Sequence, residues 1–130
     1  QLTFSLPIYY TVIRKIKPNS THLVSDNWVR NLHYQTKNKV KQHYHKLIAS
    51  ILTKPYPLFS KFSFHCEIYY KSTNCDASNI AHQIEKMALD GLGELGIIIN
   101  DNVKFHLKSS WVVAGQSKNN PCCIVTIKEL

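Results

Sequence analysis

The stretch "NCDASNIAHQIEKMALDGLGELGIIINDNVKFH", residues 74–106, decides the fold and also holds five of the chain's eight carboxylate side chains. Its apolar residues recur at spacings of three and four, which is typical of an amphipathic helix with one buried face. The helix is predicted to begin near Ser78–Asn79 and to loosen at the glycines near its end. Its buried face is predicted to hold Ile80, Ile84, Met87, Ala88 and Leu95.

Strands are predicted on both sides of this helix. Before it, residues 59–71 (FSKFSFHCEIYYK) alternate between apolar and polar side chains, which indicates a strand with one buried face. After it, residues 103–114 (VKFHLKSSWVVA) and 122–130 (CCIVTIKEL) predict two closing strands joined by a turn.

The N-terminal half predicts one more strand and one more helix. Leu2–Leu6 alternates and predicts a strand that ends at Pro7. Residues 11–21 (TVIRKIKPNST) predict a loop, or a short strand followed by a loop. A long helix, capped by Ser25 or Asp26, is predicted to run as far as the sequence KPYP, because a proline disfavours helical geometry in the residue before it.

The predicted order of elements is therefore β-α-β-α-β-β. It corresponds to a single α+β domain over residues 1–130, in which a small mixed β-sheet packs against two main helices.

Positive charge is concentrated in the first half of the chain. The formal net charge is +8, and residues 1–61 hold ten lysines and arginines but only one acid. This distribution predicts a polyanionic partner such as nucleic acid, while a solvated basic surface that only maintains solubility is the alternative. The residues predicted to contact phosphates are Arg14, Lys15, Lys17, Lys37 and Lys41.

The sequence shows no targeting pattern. No segment approaches 18 uncharged apolar residues, and the first residues lack a basic region followed by an apolar one. A cytoplasmic protein with no membrane partner is therefore expected, and its four cysteines are expected to be reduced.

The carboxylates of residues 74–106 suggest a metal site. Asp76 precedes the predicted helix and Asp101 follows it, while Lys86 and Asp90 lie on its polar stripe together with Asn79 and Gln83. Carboxylates that converge repel each other unless a cation lies between them, and Mg²⁺ binds one or two carboxylates together with waters and phosphate oxygens. These residues therefore predict metal-dependent phosphodiester hydrolysis, with Mg²⁺ or alternatively Mn²⁺ as the ion.

Simpler structural roles remain open for the same residues. Asp76 could cap the helix, Lys86 and Asp90 could form a surface pair, and Asp101 could belong to a turn.

The motif order over residues 60–108 resembles the RusA-type family of Holliday-junction resolvases, including the forms carried by phages and prophages. The matching elements are a strand, the motif D-x-S-N, a helix with K-x-x-x-D-G-L, and the motif I-x-N-D-N-V. The resemblance implies a homodimeric, Mg²⁺-dependent endonuclease that binds four-way DNA junctions and nicks two opposed strands. It assigns the two metal aspartates to Asp76 and Asp101 and the family's asparagine to Asn79, as a residue that contacts DNA.

The chain departs from the family's pattern at three points. Ser78 stands where the family has a second aspartate, and Glu67 or Asp90 is the hypothesised replacement. Asn100 replaces the acidic neighbour of Asp101. The helix is about one turn longer, so the family's lysine aligns with His82 or with Lys86; Lys86 is preferred because it shares the polar stripe, and it is predicted to be catalytic with Asp76 and Asp101.

Three functions are consistent with these features. The first is a junction resolvase, and the second is a nucleic-acid-binding protein of the same fold without cleavage. The third is an unrelated protein-interaction domain. Ser78 is the residue that favours the second over the first.

Overall fold

The computed structural model describes all residues from 1 to 130. The protein has an α+β fold with a four-stranded mixed sheet, a two-stranded sheet and three helices, as the sequence predicts at the level of fold class. The elements in chain order are β1 (Leu2–Pro7), β2 (Tyr9–Val12), β3 (Ser20–Leu23), α1 (Asp26–Arg30), α2 (Tyr34–Ile51), β4 (Phe62–Tyr70), α3 (Ala77–Glu94), β5 (His106–Gln116) and β6 (Cys122–Glu129).

The main sheet has the strand order β1-β6-β4-β5. Strands β4 and β5 are parallel and are connected through α3, whereas β6 is antiparallel to both of its neighbours, β1 and β4. Consequently β1, β4 and β5 all point in the same direction, and their carboxyl ends lie at one end of the sheet.

One face of the main sheet carries the core. On β4 the predicted alternation is confirmed, since Phe62, Phe64, Cys66 and Ile68 are buried while the residues between them are only half-buried. Helices α2 and α3 pack against each other and α3 contacts this sheet. None of the helices combines the length and apolar character that a membrane crossing requires.

Helix α3 matches the predicted apolar face except at its end. Ile80, Ile84, Met87 and Ala88 are buried, but Leu95 is 41 % exposed because the helix ends at Glu94 and the chain turns there. The polar stripe is also interrupted, since the Gln83 residue is buried against neighbouring elements.

The N-terminal half is more divided than predicted. Residues 11–21 belong to a hairpin of β2 and β3, whose Thr11 and Thr21 hydroxyls lie 2.9 Å apart across the two strands. The predicted long helix is two helices, α1 and α2. Ser25 caps α1 as expected, but the Asn31 side chain donates to the Asn27 carbonyl and the chain leaves helical geometry.

A new cap starts the second helix after this break. The Nδ1 atom of His33 accepts a hydrogen bond from the Gln35 backbone amide at the start of α2. Side chains that bond to nearby backbone groups compete with helix continuation in this way, which explains the break.

Candidate nucleic-acid interface

The carboxyl end of β4 is where the N-terminal hairpin and α3 meet. Pro7 of β1 and Tyr69 of β4 both pair with Cys122, so the chain leaves both strands at the same end of the sheet. The Nζ atom of Lys71, just after β4, lies 5.6 Å from the centre of the Tyr9 ring in β2. Partial burial, followed by the effect of Cys75, raises the pKa of Tyr9 above its ordinary value.

Asp76 lies at this end and is the N-cap of α3. Its Oδ1 atom accepts hydrogen bonds from the Ser78 backbone amide at 3.2 Å and the Ser78 hydroxyl at 2.9 Å. Its Oδ2 atom accepts one from the Asn79 side chain at 3.3 Å. The capping role left open by the sequence is therefore confirmed, and Ser78 donates to Asp76 through both its backbone amide and its hydroxyl.

A cleft of about 920 Å³ opens between α1, the first turns of α2 and the middle of α3. We call it the basic cleft, because five cationic side chains and only two carboxylates line it. The cations are Arg30, Lys37, Lys39, Lys41 and Lys86, and the acids are Asp26 and Asp90. The structure thus brings together the predicted residues Lys37, Lys41, Lys86 and Asp90.

None of the protein's 16 lysines and arginines forms an ion pair with a carboxylate within the chain. The three close contacts between a carboxylate and a basic side chain all use a histidine instead: His45 with Glu94, His82 with Asp26, and His106 with Glu85. In the basic cleft, His82 Nδ1 lies 2.5 Å from Asp26 Oδ2 and joins α3 to α1. Asp26, the one acid of residues 1–61, is therefore in contact with His82. The cations around it have no carboxylate partner within the protein.

The other predicted phosphate-contacting residues lie outside the basic cleft. Arg14, Lys15 and Lys17 are exposed in the loop between β2 and β3. The hairpin is fixed to α1 by aromatic packing, since the Trp28 ring stacks on His22 at 4.9 Å and lies 6.2 Å from Tyr10.

The predicted metal ligands do not come together in one chain. Asp90 lies fourteen residues after Asp76, which is about 21 Å at the rise of an α-helix. Asp101 precedes β5, whose first residue His106 pairs with Phe62 at the amino end of β4. Because β4 has nine residues, Asp101 lies at the far end of a strand roughly 30 Å long.

This placement corrects the expectation that Asp76, Asp90 and Asp101 surround one ion within the chain. No group of three histidine, cysteine or acidic side chains is arranged to hold a metal. Glu67 does not replace the missing acid either, because it lies on the sheet face opposite the buried Cys66. A single copy of the protein therefore does not bring these three aspartates around one ion.

Lys86 also lies far from Asp76 along α3. It lies about 15 Å along the helix from Asp76, whereas His82, the alternative alignment, lies about 9 Å away. Both line the basic cleft. Lys86 therefore lies close in sequence and in space to Asp90, although no ion pair joins the two.

Two features of the interface were not predicted. The first is Arg30, which lines the basic cleft from the last turn of α1, five residues after the N-cap Ser25. The second is the position of β5, because the sequence predicts this strand but not that it lies at the edge of the sheet with one side unpaired. It exposes about half of four apolar side chains: Leu107, Trp111, Val112 and Val113.

No family model matches the chain, and no curated protein matches it significantly. The resemblance over residues 60–108 therefore rests on the motif residues themselves.

Proposed function

We propose that the protein binds DNA through the basic cleft and the β2–β3 loop, and that two copies together form a Mg²⁺-dependent endonuclease for branched DNA of the RusA type. The observation that supports this most is the set of unpaired cations in the first half of the chain. Lysines and arginines with no acidic partner in the protein are available to phosphates, and each phosphate contact releases counterions from DNA.

The size and position of the basic cleft suit a nucleic-acid backbone. Its five cations exceed its two acids by three charges, before His82 is counted. It extends along α3 toward the end that Asp76 caps. A backbone bound in the cleft would thus lead to Asp76 and Asn79, and the exposed loop with Arg14, Lys15 and Lys17 would bind an adjoining segment.

The separation of Asp76 from Asp101 supports a homodimer. Strand β5 is a long, unpaired and partly apolar edge, which is the kind of edge that pairs with another strand. If β5 pairs antiparallel with β5 of a second copy, the amino end of one strand lies beside the carboxyl end of the other. Asp101 of the partner subunit then lies at the end of the sheet that carries Asp76.

This arrangement gives two equivalent sites, one at each end of the joined sheet. Each would offer two carboxylates, which is the number that Mg²⁺ commonly takes from a protein while it keeps waters for phosphate oxygens to replace. Two sites related by a two-fold axis also match a substrate in which two opposed strands are cut.

The direct test uses a four-way junction with each strand labelled in turn, and a linear duplex of the same sequence as control. With Mg²⁺, we expect symmetric nicks in two opposed strands of the junction and none in the duplex. Without Mg²⁺, we expect a stable complex and no cleavage. If the protein binds neither DNA, the proposed function is wrong.

A second candidate is a DNA-binding protein of the same fold without cleavage. The observation that favours it is the cap of α3, because Ser78 and Asn79 occupy both oxygens of the Asp76 carboxylate with hydrogen bonds. In the same experiment this candidate predicts a shifted but intact junction at every Mg²⁺ concentration.

A further inference from the structure

The loop between β2 and β3 exposes two large apolar side chains. Ile13 is 82 % exposed and Ile16 is 97 % exposed. Burial of a side chain of this size is worth about 1.5–3 kcal/mol, and nothing in the chain provides that burial here. These two side chains are thus available to an external partner.

A hydrogen bond across its base holds this loop in place. The Arg14 backbone amide donates to the Asn19 Oδ1 atom at 3.0 Å, which closes the loop across its base. The pair of Thr11 and Thr21 lies directly below this closure. Because Trp28 fixes the hairpin to α1, the two isoleucines project from a supported element.

The surroundings of the two isoleucines define the chemistry of the partner. Arg14, Lys15 and Lys17 alternate with them, and the loop contains no acid. A partner must therefore combine negative charge with an apolar surface that it can open. Nucleic acid has both, since phosphates flank stacked bases and apolar side chains can insert between base steps.

We propose that Ile13 and Ile16 form a wedge that inserts between bases at the branch point of a DNA junction, while Arg14, Lys15 and Lys17 bind the flanking phosphates. The inference rests on the proposed function and adds a basis for its selectivity. Unstacking a continuous duplex costs a few kcal/mol per step, whereas at a branch point the continuous stack is interrupted and a step is opened at lower cost. The wedge therefore favours branched DNA over a duplex of equal charge.

An anionic membrane surface is the competing partner for a basic and apolar loop. The position of the hairpin favours DNA, because it leaves the sheet beside Lys71 and packs on α1, which lines the basic cleft. The loop and the cleft thus belong to one basic region, and a single polyanion can occupy both.

The test is the double variant Ile13→Ser/Ile16→Ser, with Val103→Ser as the matched control. Val103 is 89 % exposed in the loop before β5, so its replacement removes an equally exposed side chain outside the hairpin. Binding is measured on a junction and a duplex that carry 2-aminopurine, at the branch point and at the matching duplex position.

For the wild type and Val103→Ser, we expect stronger binding to the junction and a rise in 2-aminopurine fluorescence there. For the double variant, we expect the fluorescence rise to disappear and the preference for the junction to fall about tenfold, or about 1.4 kcal/mol. Its affinity for the duplex should stay near that of the wild type, because the cations are intact.

Three results would overturn the wedge. The first is a double variant that unstacks and prefers the junction as the wild type does, which leaves the DNA-binding proposal standing. The second is wild-type binding to phosphatidylserine vesicles, lost in the double variant, together with unchanged junction binding. The third is a wild type that binds neither junction nor duplex, which overturns the proposed function as well.

Discussion

The two ends of β4 differ in what surrounds their acids. At the carboxyl end, Asp76 caps α3 next to the basic hairpin and on the helix that lines the basic cleft. At the amino end, Asp101 lies in a loop closed by its own neighbours. There, Asn100 Oδ1 accepts from the Asn102 amide at 3.1 Å, and Asn102 Oδ1 accepts from the Lys104 amide at 3.0 Å.

This difference shows that two motifs can follow each other in the sequence and still lie far apart in the fold. A parallel β-α-β unit returns the chain to the end at which the first strand began. Asp76 follows β4 and Asp101 precedes the parallel strand β5, so the two acids lie at opposite ends of the sheet within one chain. If both act in one reaction, a second copy has to supply one of them.

The largest expected effect comes from separating the two acids. Asp76→Asn and Asp101→Asn should each abolish junction cleavage, because each removes a carboxylate from both of the proposed shared sites, while junction binding persists. An equal mixture of the two variants, unfolded and refolded together, should regain nicking. In the mixed dimer, one site has both aspartates and the other has neither.

The product of this mixture is also specific. One intact site per dimer gives single nicks rather than paired cuts, which denaturing and native gels of the same reaction distinguish. The control is each variant refolded alone. A mixture as inactive as its components would show that the two acids act within one chain or not at all.

The next prediction concerns β5, the edge that we propose joins the two copies. Val112→Lys/Val113→Lys places two charges on β5, and across a two-fold axis like charges face each other and oppose pairing. We expect a monomer by light scattering at concentrations at least about tenfold above those at which the wild type dimerises. Thr3→Lys/Ser5→Lys on β1, at the other edge of the sheet, should leave the dimer intact. Dissociation by the β1 variant alone would move the interface to that edge.

A smaller effect is expected on the salt dependence of DNA binding, which compares cations of the basic cleft with cations near the amino end of β4. Lys37→Gln/Lys41→Gln removes two cations from the basic cleft, so the slope of log affinity against log salt should fall by about 1.8, or about 0.9 per lost phosphate contact. Lys61→Gln/Lys128→Gln removes the same charge from the residues before β4 and at the end of β6, near the amino end of β4. That pair should change the slope little. Equal slopes would mean that the whole basic surface binds DNA without a preferred site.

The elements that the sequence predicts best are those with a regular pattern. The alternation of Phe62, Phe64, Cys66 and Ile68 and the spacing of the α3 core residues each follow from burial on one face. The break between α1 and α2 was missed, because it depends on side-chain bonds of Asn31 and His33 that compete with an otherwise good helical pattern.

The sequence predicts several residues of the candidate site but not their arrangement in space. Lys37, Lys41, Lys86 and Asp90 were each identified, but their assembly in one cleft depends on how α1 and α3 cross. The link of His82 to Asp26 spans 56 residues of sequence, and no local pattern indicates such a contact. The exposure of β5 depends on sheet order, which alternation within one strand does not define.

The smallest expected effect concerns the packing of α3, the helix that connects the two ends of the sheet. α3 packs on α2 at Gly91, where an added Cβ atom would lie 2.7 Å from Ile48 Cδ1. Ile48 is fully buried, so its side chain has little room to move, and overpacking of this kind costs about 1–3 kcal/mol. Two residues later, a Cβ atom on Gly93 would find only Ile98 Cγ1 at 4.0 Å.

The pair Gly91→Ala and Gly93→Ala therefore separates packing from helix propensity. Alanine in a helix gains roughly 0.5–1 kcal/mol over glycine at either position. Gly93→Ala should keep that gain, whereas at Gly91 the contact with Ile48 should exceed it and leave a net loss of about 1 kcal/mol. Urea unfolding followed by circular dichroism measures both, and junction affinity should not change because neither residue lines the basic cleft. A Gly91→Ala variant more stable than the wild type would mean that Ile48 can move aside, and α3 would then not be held against α2 as closely as these distances imply.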